Sequence, residues 1–576
     1  MPHSNNNIKY KTKIFSASIL VSIFVIVLLS HFFSTNITSG DSAYSIHTAM
    51  SIIKECNIDL DEYEEIIQAK KNQFYCVKQL NGHYYFSYPL GASILSVPFV
   101  YLADKILPLL VSSFPSFEKY IRNRVDLPFG SIDPITAHSL VEVFIASILV
   151  ALTALCIYFT AKNSLGVKSA LLVTFIFAFC TAAWSTASRA LWPHGPSMLM
   201  LAITLLIILR SRKTPYLIPL ASIPLAFSYI IRPTNIVSII LFTLFIFLHY
   251  RRFFVFYFSG LVFILGIFFV FNYITYESMI SPTYISQAVL PGRNFAEGLL
   301  GVLFSPSRGL FIFSPIFFFV LLGIFLKIKH HQFEILDRYV LGIIFFHWLM
   351  IGTFPRWWAG WSFGPRYFSD IIPYLIYFLF PVLRYQRMLK GIKRWAYNGL
   401  FYCFLIFSFF VHFRGAMRAD VLYWNSLPVS IDLTLERLWE WKDIQFLRGL
   451  INEHSDFSYK AQIDAISFTD KEDLHFLIRV SNTGTFKWRR TTDEVLRIGC
   501  RIFDTQDDTA STVLELKKEL PENVIGVGDS FETTFVIKKQ YLDKGSYKII
   551  FDMVRENKYW FETIGSRPLF YYFVIS

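Results

Sequence analysis

The sequence predicts an α-helical polytopic membrane protein of about 11 transmembrane helices with a C-terminal extracytoplasmic β-sandwich domain, on three observations. First, 54% of the 576 residues are hydrophobic, including 61 Phe and 31 Tyr, while only 17% are charged. Soluble domains hold roughly 45–50% apolar residues even with glycine counted. Second, apolar runs recur at lengths near the roughly 20 residues a helix needs to cross a bilayer. Third, beyond about residue 455 these runs give way to the two-residue alternation of strands. Together they exclude a disordered chain, a disulfide scaffold and an ordinary cytosolic enzyme. The net charge of +12 does not indicate nucleic acid, because most Lys and Arg lie in short loops between apolar runs.

In order, the runs are 14–33, 141–160, 168–187, 196–210, 216–231, 234–250, 253–275, 310–327, 338–355, 370–384 and 396–414. In hydrocarbon every backbone group needs an internal partner, so each run reads as a helix. The first is too long for a signal-peptide core of roughly 7–15 residues and no A-x-A-like site follows, which predicts a retained helix. Lys9, Lys11 and Lys13 precede it. Alternate loops then carry Lys162 and Lys168; Arg210, Arg212 and Lys213; Arg251 and Arg252; Lys327, Lys329 and Arg338; and Arg384, Arg387, Lys390, Lys393 and Arg394. The positive-inside rule therefore places the N-terminus in the cytoplasm and, after eleven crossings, the C-terminal domain outside. A bacterial inner (plasma) membrane is the expected location.

Three segments stand apart from the runs. The outer loop 34–140 contains amphipathic stretches, 42–56 and 91–106, expected to lie along the membrane surface. Between them Asp59, Asp61, Glu62, Glu64 and Glu65 read as a solvated face. The membrane domain spans 1–415, an interfacial linker with Trp424, Trp439 and Trp441 spans 416–454, and the β-sandwich spans 455–576. Cys156, Cys180 and Cys403 fall within apolar runs, whereas Cys56 and Cys76 share the outer loop, where a disulfide is one of two open outcomes. No metal-binding cysteine pattern occurs.

The outer face carries polar residues that insertion does not explain. Asp41, in Gly40-Asp41-Ser42-Ala43-Tyr44, is either a helix cap or a general base at the rim of an intramembrane cavity. Arg189, Arg232, Arg293, Arg308, Arg356 and Arg366 lie at outer helix ends, against the topogenic bias. One or two could snorkel, but six suggest an anionic ligand, and a phosphate suits the guanidinium fork. Gly and Pro around them keep the backbone irregular, which membrane depth tolerates only where it lines protein or a cavity. Trp357 and Trp358 read as an aromatic belt and Trp361 as a platform for a sugar ring. His194 reads as a helix-end histidine, Glu142 as a cap paired with His138, and Tyr88-Pro89 as a helix start.

One helix, an early aspartate, two surface helices and many further helices resemble the GT-C glycosyltransferases. Asp41, Tyr88-Pro89, Trp192-Pro193-His194-Gly195 and Gly364-Pro365-Arg366 are similar to segments of bacterial members related to protein mannosyltransferases and lipid A aminoarabinose transferases. Family members often carry an acidic pair where Asp41 is followed by Ser42. The resemblance implies transfer of a sugar from a polyprenyl-phosphate donor to a glycan, lipid or protein acceptor, with inversion and without a resident cofactor or assigned metal. It implies Asp41 as base, Arg366, Arg308, Arg232 and Arg189 as phosphate or donor ligands, and Tyr88, His194 and Trp361 in the substrate pocket. The alternatives are a flippase for a lipid-linked sugar and a non-catalytic glycan-binding protein. At the C-terminus, Asn482, Gly484 and Trp488 with Gly545 and Tyr547 resemble sandwich domains of glycan-handling proteins.

Overall fold

A computed structural model describes residues 3–69, 75–125, 132–281, 295–426, 430–432, 435–450, 460–470, 472–484, 488–489, 495–505, 512–521, 524–556, 559–564 and 566–575. The chain forms two compact units, one of residues 1–422 with 438–446 and one of 423–437 with 447–576. The stretch expected as a linker, 416–454, is instead divided between them.

The first unit is helical. Its elements are α1 (His3–Phe32), α2 (Ser45–Lys54), α3 (Glu64–Ala69), the hairpin β1 (Val77–Leu80) and β2 (His83–Phe86), α4 (Gly91–Ser113), α5 (Pro115–Val125) and α6 (His138–Leu165). Then come α7 (Val167–Phe179), α8 (His194–Ser211), α9 (Ser222–Ile231), α10 (Ile236–His249), α11 (Arg251–Tyr276) and α12 (Phe295–Phe304). The remainder is α13 (Leu310–Phe313), α14 (Phe318–Lys329), α15 (Ile335–Gly352), α16 (Ile372–Tyr377), α17 (Phe380–Met388) and α18 (Gly391–Met417). Among the described residues, seven helical stretches are long and apolar enough to cross a membrane: α4, α6, α8, α11, α15, residues 366–388 and α18.

Where an expected run is shorter or broken, the cause is local. Pro215, Pro233 and Pro315 each open a 3-10 turn, because a ring without an N–H starts a helix but cannot continue one. The run 310–327 is thereby divided into α13 and α14. The run 168–187 ends its α-helix at Phe179, where Thr181 Oγ1 donates to Phe177 O at 2.6 Å and accepts from Ala183 N at 3.2 Å. A π-turn over Ala183–Ala187 follows, leading the chain into the Arg189–His194 segment.

The bundle has two polar ends. At one, Arg387 reaches the Leu165 carbonyl at 2.8 Å, Arg212 meets Glu334 at 2.5 Å, and Lys327 holds Asp337 at 2.6 Å with Tyr377 beside them. At the other lie the start of α6 and the turns around residues 34–42, 189–194, 232 and 366–370. The α4–α5 pair begins and ends at that second end. Gly91 abuts the Ile231 backbone so closely that a Cβ would sit 2.5 Å from Ile231 N, and Arg124 donates to the carbonyls of Phe32 (2.7 Å) and Ser34 (2.5 Å). The stretch expected as a short surface helix at 91–106 is thus the longer α4.

The second unit is β-rich. A three-stranded sheet of β3 (Ala461–Asp470), β4 (Leu474–Asn482) and β9 (Ser530–Ile537) is antiparallel throughout. In a second sheet, β10 (Gly545–Arg555) pairs with β6 (Leu496–Asp504), β11 (Tyr559–Trp560) and β12 (Leu569–Ile575), and β6 pairs with β7 (Thr512–Glu519). Short strands β5 (Trp488–Arg489) and β8 (Val524–Ile525) pair separately. Alternate residues of both sheets, such as Phe476, Ile478, Ile498, Ile502, Ile549 and Phe551, share one apolar cluster. That burial accounts for their period of two.

Candidate functional site

Asp41 does not cap α2, which starts at Ser45 behind Tyr44. Its Oδ2 accepts from Arg366 Nη1 at 2.9 Å, and Oδ1 accepts from Tyr75 OH at 3.2 Å. Two charges 325 residues apart in sequence therefore meet at one end of the bundle. Both are largely enclosed: the Asp41 side chain is 24% exposed and the Arg366 side chain 12%.

The segment that presents Asp41 is fixed from several sides. Asn36 N donates to Ala416 O at 3.0 Å, and its side-chain amide reaches Gly415 O and Arg418 O at 2.8 and 2.9 Å. Thr38 N donates to Arg189 O at 3.0 Å. Ser39 Oγ donates to Glu142 Oε1 at 2.7 Å, and Ser42 Oγ donates to Glu142 Oε2. Cys76 Sγ lies 3.4 Å from Gly40 O. Glu142 therefore binds the aspartate loop, and His138 Nδ1 lies 3.0 Å from Ile135 O.

Arg366 is presented by Gly364-Pro365. Gly364 sits at φ +60°, a region that costs glycine little, and its N–H donates to Gln445 Oε1 at 3.1 Å. The Arg366 guanidinium lies 4.5 Å over the Trp192 ring and 5.6 Å from that of Tyr367. Its Nη1 is used by Asp41, while Nε is buried without a hydrogen bond. A small cavity beside it is lined by Arg308, Trp357, Trp358, Gly364, Pro365 and Tyr367 among others.

Tyr88 belongs to the same neighbourhood. Burial raises its phenol pKa, and the charge of Asp41 raises it further. Tyr75 is shifted upward by burial and then by Asp41, and burial pushes the Cys76 thiol up to about 12. At neutral pH these three groups are protonated, and Cys76 is no thiolate. Cys56 is exposed and Cys76 buried, and the two are not bonded to each other in this structure.

The other expected ligands are placed differently. His194 and Arg232 both turn to Asp370: His194 Nδ1 is 3.3 Å from Asp370 Oδ1, Arg232 pairs with Oδ2, and Arg232 Nη1 is 2.9 Å from His194 Nδ1. All three are buried, and Arg232 lies 5.4 Å from the Tyr367 ring, one residue from Arg366. His194 is thus partnered across the bundle rather than only ending a helix. Arg189 is wholly buried and donates to the carbonyls of Trp184 (3.1 Å), Ser34 (3.2 Å), Asn36 (3.3 Å) and His31. Arg308 is likewise buried and donates to Trp358 O (2.9 Å), Ser307 O (2.8 Å), Gly360 O (3.1 Å) and Gln445 Oε1 (2.7 Å). These two hold turns together. Trp357 and Trp358 are buried rather than belted, while Trp361 is 57% exposed. Arg293 lies outside the described residues.

Sequence reading missed Asp370 and Tyr75, and it did not assign the roles of Trp192 and Glu142. Asp370 was hidden at the start of an apolar run, and its one signal was a carboxylate four residues after Arg366. Among the described residues, the group of potential metal ligands is Asp59, Asp61 and His83, with donor atoms within 4.8 Å, and it does not include Asp41. It is accounted for by an exposed ion pair, His83 Nδ1 to Asp61 Oδ2 at 2.5 Å, which raises the histidine pKa. No family model matches this chain, and no curated protein matches it.

Proposed function

We propose that the chain is a glycosyltransferase that moves a sugar from a polyprenyl-phosphate-linked donor to an envelope glycan, lipid or protein acceptor at the outer face of a bacterial plasma membrane. The observation that carries this reading is the Asp41–Arg366 pair, with Arg366 stacked on Trp192 and its Nε unpartnered beside a cavity. A guanidinium with one N–H engaged by a carboxylate and another buried without a partner is suited to a phosphate oxygen. When the donor phosphate takes Arg366, Asp41 loses its counter-charge and is freed to accept a proton.

The reaction then balances without a resident metal or cofactor. The acceptor hydroxyl oxygen attacks the anomeric carbon as its proton passes to Asp41, and the carbon–oxygen bond to phosphate breaks with its electron pair leaving on phosphate. The departing group is already a stable anion, so preset charge at Arg366 contributes more than an acid would. Arg232 and Asp370 act by fixing the 366–370 turn, and Arg189 and Arg308 by fixing the flanking loops. Exposed Trp361 and enclosed Tyr88 are the sugar-facing candidates.

The topology belongs to the same proposal. In this reading the eleven crossings are six of the seven long helices, four of the five shorter apolar ones and the broken stretch 310–329. The seventh, α4, has 23 residues and extends about 34 Å, whereas the 11-residue α5 recovers only about 16 Å of that on the way back. A pair that leaves and returns to one end so unequally lies along the membrane surface. The basic end is then cytoplasmic, the Asp41 end extracytoplasmic, and the β-rich unit a sandwich outside.

Purified full-length chain incubated with radiolabelled polyprenyl-phosphate sugars and envelope acceptors tests the reading. Transfer or release of sugar is expected, with Asp41→Asn folded but at least about 10²-fold slower, as for loss of a general base. Movement of intact donor across vesicles without chemistry would instead indicate a flippase.

A further inference from the structure

We propose that Glu142 is a positioning residue that holds both halves of the Asp41–Arg366 pair in register. This rests on the reading of Asp41 as the base. Glu142 is wholly buried in the first turns of α6. Its Oε1 accepts from Ser39 Oγ at 2.7 Å, and its Oε2 accepts from Ser42 Oγ and, at 3.2 Å, from Leu191 N. Ser39 and Ser42 bracket Asp41. Leu191 N belongs to the residue before Trp192, whose ring lies 4.5 Å under the Arg366 guanidinium. One carboxylate therefore ties the loop that carries the base to the turn that carries the stacking partner of the anion ligand. A buried carboxylate is costly unless its oxygens are engaged, so the three donors and the acid specify one another.

A carboxamide of the same shape has one acceptor oxygen, and its NH2 would face donors. Glu142→Gln should thus loosen the loop without emptying space, and Glu142→Asp should pull the clamp short by one methylene while keeping its charge. The loop carries its own reporter. Cys76 is buried with its sulfur 3.4 Å from Gly40 O, and Cys180 is buried elsewhere in the same unit.

The experiment measures maleimide labelling rates of Cys76 and Cys180, each as the sole cysteine of the full-length chain in lipid nanodiscs. In Glu142→Gln the Cys76 rate should rise at least about tenfold with Cys180 unchanged, and Glu142→Asp should fall between. Should Glu142→Gln not fold, the Ser39→Ala/Ser42→Ala double variant removes the loop-side donors and is expected to give the same rise. An unchanged Cys76 rate overturns the proposal, and so does a rise shared by Cys180, which would mean general loosening. In the transfer assay, kcat should fall at least about tenfold with donor KM moving less than about threefold, and Glu142→Asp should restore part of the loss. Loop release with unaltered transfer would leave the clamp standing and remove Asp41 from the chemistry, which separates failure of the functional reading from failure of this one.

Discussion

Arg366→Lys keeps a positive charge beside Asp41 but removes the planar fork and its stacking on Trp192. For a phosphate ligand these are not equivalent, so donor KM should rise about tenfold or more in transfer kinetics, with the protein folded as before. Arg189→Met makes the opposite prediction. Its guanidinium satisfies carbonyls of His31, Ser34, Asn36 and Trp184 inside the protein, and losing them strands buried acceptors. Thermal unfolding should show a loss of about 3 kcal/mol or more, and whatever protein remains folded should keep its donor KM. The contrast shows what the sequence discloses at this scale. Asp41, Arg366 and Tyr88 stand out as polar residues on an apolar background; Asp41 and Arg366 do meet, and the phenol of Tyr88 feels the charge of Asp41. The charge of Arg189 and Arg308 stands out equally, yet their partners are main-chain carbonyls of distant turns, which carry no residue-type signature. Arg232 looks like a ligand for the same reason, because Asp370 sits 138 positions on in what reads as a membrane run.

Elements were legible where hydrophobic period and length decide them, and less so where hydrogen bonds do. Each of the eleven runs contains helix, but Thr181 ends α7 early and Pro315 divides α13 from α14. In α4, Pro98 and Pro108 did not end the helix, so the expected surface stretch fell short of its length. The strands at 474–482, 530–537 and 545–555 followed from alternation. The outward face of β10 holds something alternation could not signal. Asp552 is buried, accepting from Met553 N at 2.8 Å and Glu562 N at 2.7 Å, and burial raises its pKa to about 7. The folded state thus binds a proton that the unfolded chain releases near pH 4. The stabilising effect is complete below that pH and is lost as pH rises through about 7, on the order of a few kcal/mol in all. The unfolding transition of the β-rich unit, followed in the full chain, should move to lower temperature between pH 5 and pH 8, and Asp552→Asn should flatten that dependence.

At the scale of the whole molecule, two ends of one bundle differ in kind. One end gathers basic loops with the buried Lys327–Asp337–Tyr377 set, and the other gathers Asp41, Glu142, Arg366 and Asp370. That division was legible from charge spacing, whereas the meeting of residues 41 and 366 was not, since no periodic pattern links positions so far apart. The central claim is that these two side chains converge on the extracytoplasmic mouth of the bundle. It is tested most directly by placing cysteines at both positions in an otherwise cysteine-free chain, in sealed right-side-out vesicles. A membrane-impermeant maleimide should label each single-cysteine variant from outside, and mild oxidation should cross-link the pair. Labelling of either position only after the vesicles are opened, or two accessible thiols that never cross-link, would contradict the account.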